Sequence, residues 1–159
     1  MTKTLNIIGA GLAGSEAAFQ AANAGIKVRI YEMRDGARKT HAHKTDVCAE
    51  LVCSNSFRND NVTSAIGLLH EEMRRANSLI IKAADNNMVP AGSALAVDRD
   101  AFAAEVQETL ENHPNIEIIR QEITSVPDEG RWIIASGPLT SDPLTQNIIA
   151  MTGEEQLAF

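Results

Sequence analysis

Apolar residues along this chain fall into short runs separated by stretches with helical spacing. Leu5 to Ile8 and Val28 to Tyr31 read as strands, and the Ala-rich stretch between them reads as a helix. The opening is therefore predicted as strand 5–8, helix 11–24 and strand 27–32. Gly25 suits the position just past that helix, where positive φ is usual. Met33 to Asp46 has no hydrophobic period and predicts a polar loop or lid. From Asn61 onward, Ile66, Leu69 and Leu79 to Ile81 supply an apolar stripe opposite Glu71, Glu72, Arg74 and Arg75. This predicts one long helix, capped by Asn61 or Thr63 and fading near Asp85 to Asn87. A short strand at Ala94 to Val97 follows, then a helix opened by Asp98 or Asp100 that carries Phe102, Val106 and Leu110 and ends at His113-Pro114. Strands at 116–120 and 123–126, a strand from Trp132 into Gly137, a helix from Asp142 to Met151 and the start of a strand over 153–159 complete the pattern. Strands alternating with helices in this way predict an α/β fold around a parallel sheet.

The turn between the first strand and helix carries chemistry. It reads Gly9-Ala10-Gly11-Leu12-Ala13-Gly14, and Glu32 closes the next strand. A tight bend at Gly9 excludes a side chain, Gly11 lets backbone approach a pyrophosphate, and Gly14 lets the helix pack closely. The helix N-terminus adds unsatisfied N–H groups and about half a positive charge. A carboxylate at Glu32 can accept from a ribose 2′-hydroxyl and repels a 2′-phosphate, which favours NAD or FAD over NADP. Ser15 and Glu16 open the helix, where polar and acidic groups suit its dipole. A glycine-rich turn with no ligand is the alternative. Ala135-Ser136-Gly137, after the strand from Trp132, resembles the small-residue turn that flavoproteins place near the adenosine half of FAD, and so favours FAD over NAD.

Composition narrows the classes. The 159 residues suit one domain, with 14 Lys plus Arg against 21 Asp plus Glu and a formal charge of −7. That balance argues against a surface that grips nucleic acid all over, and 4% aromatics argues against a stacking platform. A local basic patch remains open: Arg34, Arg38, Lys39, His41, His43 and Lys44 are either a solvated connection or a lip over a cofactor or polyanion, and Arg74 and Arg75 are further candidate phosphate contacts. No signal peptide and no membrane-spanning run is read in the chain, so a cytoplasmic protein with free Cys48 and Cys53 is expected.

Glu50-Leu-Val-Cys53-Ser-Asn-Ser-Phe-Arg58-Asn-Asp60 sets a thiol among small polar groups and a cation. Cys53 is then either a small buried apolar residue or a thiolate stabilised by a guanidinium or helix amides. With Gly9 to Ala18, Tyr31 to Arg34, Val89 to Gly92, Ala94 to Arg99 and Ala135 to Ser141, this block resembles the N-terminal part of the folate- and FAD-dependent tRNA (uracil-5-)-methyltransferases, the TrmFO or Gid family.

The resemblance runs essentially from residue 5 to 159 and implies a Rossmann-like FAD-binding fold of the glutathione-reductase/GidA-like type, incomplete at the C-terminus. Residues 1–159 would be the N-terminal portion of the FAD-binding domain. The implied reaction methylates C5 of the T-loop uridine of tRNA, with methylenetetrahydrofolate as carbon donor, FAD as flavin and NAD(P)H as reductant. Uracil C5 becomes nucleophilic once a group adds at C6, and a cysteine thiolate suits that addition. Cys53 matches the family's reactive cysteine, as nucleophile or as base-contacting thiol, while a second functional cysteine of the family's later region has no counterpart here. The family's greater length implies that 159 residues alone are inactive and bind FAD weakly or not at all.

Other readings stay open on residues alone. His41, His43, Cys48 and Cys53 are zinc-competent ligand types at an unusual spacing, and no metal site is assigned to them. A small NAD-dependent oxidoreductase would need a nicotinamide half-site that is not evident, and a non-catalytic dinucleotide-binding remnant would need a partner chain.

Overall fold

The computed structural model describes residues 4–37 and 40–153. Its elements, in order, are β1 (Thr4–Ile8), α1 (Leu12–Asn23), β2 (Lys27–Glu32), β3 (Ser56–Asn59), α2 (Ala65–Arg75), α3 (Leu79–Asn86), β4 (Met88–Val89), β5 (Ala94–Val97), α4 (Arg99–Glu111), β6 (Ile116–Arg120), β7 (Arg131–Ile134) and α5 (Asp142–Thr152). Four strands form a parallel sheet in the order β6-β2-β1-β7. A smaller antiparallel sheet has the order β3-β5-β4.

Strand alternation divides the parallel sheet into two unlike faces. Ile7, Val28 and Ile30 are buried and share the core with Ala18 and Ala22 of α1 and with Phe102, Val106 and Leu110 of α4. The opposite face carries Asn6, flanked in register by Arg29 and Trp132, and Arg29 pairs with exposed Glu117 at 3.0 Å. α3 joins the buried side through Leu79, Ile80, Ile81, Ala83 and Ala84.

Local chemistry sets the boundaries. Gly25, at φ +81°, follows the end of α1 as the sequence predicts. Asp98 accepts from the N–H groups of Asp100 and Ala101 and so starts α4. The single long helix predicted from Asn61 is instead two helices. Asn77, at φ +53°, breaks the path, and the Ser78 hydroxyl caps α3 on Ile81 N–H. Neither Asn61 nor Thr63 caps α2; Ser64 does, accepting from Gly67 N–H, while the Asn61 carbonyl accepts from Ser64.

The strand expected at 123–126 does not form, and Val126 N–H is tied to Asn147 of α5 at 2.9 Å. β3, Ser-Phe-Arg-Asn, is not among the strands that the sequence pattern predicts. Its register slips at Arg58, which sits at φ +72°. The strand start proposed over 153–159 lies, apart from Gly153, outside the described residues, as do Arg38 and Lys39 of the basic stretch. No helix among the described residues is long and apolar enough to cross a membrane.

Candidate functional site

β1 delivers the chain into a bend at Gly9, whose φ of +100° a side-chain-bearing residue rarely adopts. A Cβ on Gly14 would collide with the Gly9 carbonyl, so its small size lets α1 start directly behind the bend. Gly11 is different. It caps α1 in an extended conformation, φ −72° and ψ −171°, with no side-chain cap, and a Cβ there would have no heavy atom within 4 Å. Nothing in the fold requires glycine at that point, and the space above it is open. The first-turn amides of α1 face that space with the partial positive charge of a helix N-terminus.

The open space belongs to a cavity of about 320 Å³. Of the residues singled out from sequence, Gly9, Gly11, Leu12, Ala13, Glu32, Ala135, Ser136 and Gly137 all line it. The two fingerprints thus meet at one site, and Ala135 N–H donates to the Ile8 carbonyl at 2.8 Å. Ala10 and Gly14 do not line the cavity but support it from behind. Ala10 is fully buried, and its N–H is given to Glu32 Oε2 at 2.9 Å rather than to the open space.

Glu32 is 5% exposed. Burial raises the pKa of its carboxyl, but hydrogen bonds from the Arg34 side chain and backbone, the Arg34 charge and Ala10 N–H outweigh it, so the group is held below the usual glutamate range. Arg34 is 2% exposed and forks onto Glu32, yet it lines the cavity with His43, so two residues of the basic stretch reach the site and Arg34 does so with its charge already paired. His43 and Tyr31 also line the cavity, and Tyr31 packs against Trp132 with ring centroids 5.4 Å apart. Burial, with the nearby Arg34 charge, lowers the pKa of the His43 ring.

Ser15 is buried, with its hydroxyl donating to the Ala10 carbonyl at 3.3 Å. Glu16 serves another helix rather than the dipole of its own. Its carboxylate accepts from Ser78 Oγ and from the N–H groups of Leu79 and Ile80, capping α3.

Cys53 is exposed and lines neither this cavity nor the larger one of about 840 Å³ beside it. Val52 lines both, which puts the Cys53 segment on the wall between them. The segment is held on both sides of the thiol. Ala49 N–H donates to the Ala10 carbonyl at 2.8 Å, Arg99 donates to the Leu51 carbonyl, and Asn55 exchanges hydrogen bonds with Val97. Cys48 is buried, and burial pushes its thiol up to about 11. Among the described residues no group of three or more His, Cys, Asp or Glu converges as a metal site would need, so the zinc reading of His41, His43, Cys48 and Cys53 gains nothing from the structure.

A glycine bend, an open helix N-terminus, an acid at the end of the second strand and a second small-residue turn beside it, on a parallel sheet with helices, give an α/β fold of the Rossmann-like type. The family model Glucose inhibited division protein A matches residues 4–156, and the chain belongs to that family. It is 58% identical over 159 residues to the methylenetetrahydrofolate–tRNA-(uracil-5-)-methyltransferase TrmFO of Staphylococcus aureus strain JH9, covering 100% of this chain and 36% of that protein. The same figures hold for the protein of strain Newman. The chain therefore spans about a third of the length of these relatives. Among solved structures, GidA of Aquifex aeolicus superposes with a TM-score of 0.62 at 18% identity, over 80% of this chain and 21% of that one. FqzB superposes with a TM-score of 0.56 at 12% identity, over 96% and 39%. At those identities the likeness is one of fold.

Proposed function

We propose that this chain is the N-terminal, FAD-binding portion of a tRNA (uracil-5-)-methyltransferase that takes its carbon from methylenetetrahydrofolate. The observation that carries the dinucleotide part is Gly11: glycine is not needed there by the fold, and its open side faces the cavity. The choice of reaction draws on the 58% identity to TrmFO. In this reading the first-turn amides at Leu12 and Ala13 take the pyrophosphate, Gly9 and Gly11 give it room, and Glu32, its acceptor positions taken by Arg34 and Ala10 N–H, lies beside the ribose end without accepting from it. Ala135, Ser136 and Gly137 form the opposite wall. FAD held there and reduced by NAD(P)H would supply the hydride that completes the methyl group.

The chain's own chemical contribution is the Cys53 thiol. It is exposed, next to Val52, which lines both cavities, and this exposure leaves it free to meet a uracil ring presented by tRNA. Addition of the thiolate sulfur at C6 would place electron density on C5, which bonds to the methylene carbon from the folate; loss of the C5 proton would then release the amine that carried the methylene, and hydride delivered to the resulting exocyclic methylene would expel the sulfur. Arg34, buried on Glu32, is not among the groups that meet tRNA phosphates; exposed Arg75 remains one that can. A cytoplasmic setting accords with a tRNA substrate.

The test joins this chain to the remainder of a family-length polypeptide and assays 5-methyluridine formation on undermethylated tRNA with methylenetetrahydrofolate, FAD and NAD(P)H. Product that depends on both folate and flavin, and that disappears in Cys53→Ala, is the expected result. Full product formation by Cys53→Ala would remove the role given to that thiol.

A further inference from the structure

A buried chain of polar contacts runs from the glycine turn to the segment that carries Cys53. Ala10 gives its N–H to Glu32 Oε2 at 2.9 Å, and its carbonyl accepts Ala49 N–H at 2.8 Å. Arg34 grips the same carboxylate three times: Nε on Oε1 at 2.9 Å, Nη2 on Oε2 at 3.2 Å, and its backbone N–H on Oε1 at 3.0 Å. With Ala10 these fill the roughly four acceptor positions of a carboxylate. The guanidinium then extends Nη1 to Glu50 Oε2 at 3.4 Å. Glu50 in turn gathers the N–H groups of Lys44 and Thr45 and the Thr45 hydroxyl. Burial raises the pKa of the Glu50 carboxyl, but these hydrogen bonds lower it further, so Glu50 stays a carboxylate facing Arg34.

Burial gives this arrangement its stiffness. Arg34 is 2% exposed, so its guanidinium depends on these two carboxylates: Glu32 neutralises it directly, and the 3.4 Å contact to Glu50 links that pair to the following loop. A planar fork also fixes orientation in a way that a lysine ammonium does not. Glu32 is bound to the glycine turn through Ala10 N–H, and Glu50 lies in the loop that leads to the thiol.

We propose that Arg34 is a positioning residue that, through Glu32 on one side and Glu50 on the other, ties the geometry of the Gly9 to Gly14 turn to that of the Cys53 segment. A ligand that shifts the turn then shifts the thiol's segment, and the reverse holds equally because linkage between sites is reciprocal. The inference deepens the proposed function and relies on it only for naming Cys53 as the reactive group.

Amide hydrogen exchange on the 159-residue chain tests it without flavin, folate or RNA, so failure of the methyltransferase reading leaves the result readable. In Glu50→Gln the Ala10 amide, which does not touch residue 50, is expected to exchange at least threefold faster, while Val106 in the middle of α4 keeps its wild-type rate. Thr45→Val loosens Glu50 without changing any charge and gives a smaller change in the same direction. Arg34→Lys keeps the charge, loses the fork and accelerates Ala10 as well. The proposal is overturned if Ala10 keeps its wild-type rate in Glu50→Gln or in Arg34→Lys. It is equally overturned if Val106 and Ala10 accelerate by the same factor in both Glu50→Gln and Thr45→Val, because the effect is then a general loss of stability.

Discussion

The carbonyl oxygen of Ala135 lies 2.6 Å from the place a Cβ on Gly9 would occupy. The first glycine of the turn therefore answers to the second fingerprint, 126 positions later, as much as to its own bend. Gly9→Ala combines a φ of +100° with that backbone collision and is expected to cost about 3 kcal/mol, or roughly 6–12 °C in Tm. Gly11→Ala meets nothing and should leave Tm within about 2 °C of wild type. In a family-length polypeptide the same Gly11→Ala change is expected to weaken FAD binding at least tenfold. Thermal melts paired with flavin titration separate the two glycines, and equal Tm losses would contradict the assignment.

Glu32 makes stability depend on acid. Its folded pKa is depressed, so its contribution is complete above the ordinary glutamate value of about 4.3 and is lost as pH falls through the lowered folded value. Urea unfolding of wild type and Glu32→Gln between pH 7 and pH 3 should show a stability gap that is constant down to about pH 5 and closes below it. A gap that stayed the same width at pH 3 would show that the carboxylate charge is not what Arg34 holds.

The two thiols should separate cleanly in reactivity. Cys48 is buried with its thiol pushed up to about 11, so at pH 8 roughly one molecule in a thousand carries the thiolate even before access is considered. Iodoacetamide is expected to label exposed Cys53 at least about a hundredfold faster than Cys48, as read by peptide mass spectrometry. Comparable rates would mean that the Cys48 loop opens readily.

Asp60, just after β3, anchors α2 and, through Arg74, links it to α3. It meets buried His70 at 2.8 Å and Arg74 at 2.9 Å, and Arg74 reaches on to Asp85 at 2.7 Å. Asp60→Ala leaves the His70 ring nitrogen buried without its partner, which should cost about 1–3 kcal/mol in denaturant unfolding. Arg75→Ala, at an exposed pair on the neighbouring turn, should cost less than about 0.5 kcal/mol.

Periodicity and turn chemistry sufficed for the βαβ opening because each signal there is local: an apolar run, a glycine bend, a helix stop. They failed where the deciding partner is distant. The apolar stripe from Ile66 to Ile81 stays in phase across Asn77, so hydrophobic spacing does not register the break that the Ser78 cap and the Glu16 carboxylate impose. Ser56–Asn59 becomes a strand because β5 offers it an edge, not because its residues alternate. Ile123 and Val126 resemble a strand, yet no partner strand among the described residues reaches them.

At the site, the cavity-lining glycines and Glu32 were legible as a motif. The burial of Arg34 was not. In sequence it is one cation in a polar stretch, and only folding brings Glu50 to its other side.

The packing of Tyr31 against Trp132 has a practical use. Trp132 is the only tryptophan in the chain, and its partner forms part of the cavity wall. Fluorescence from this lone indole is therefore a built-in gauge of the site, and an isoalloxazine arriving nearby would drain its emission by energy transfer. Occupancy can be followed on the unlabelled polypeptide, at concentrations too low for the yellow colour to be seen.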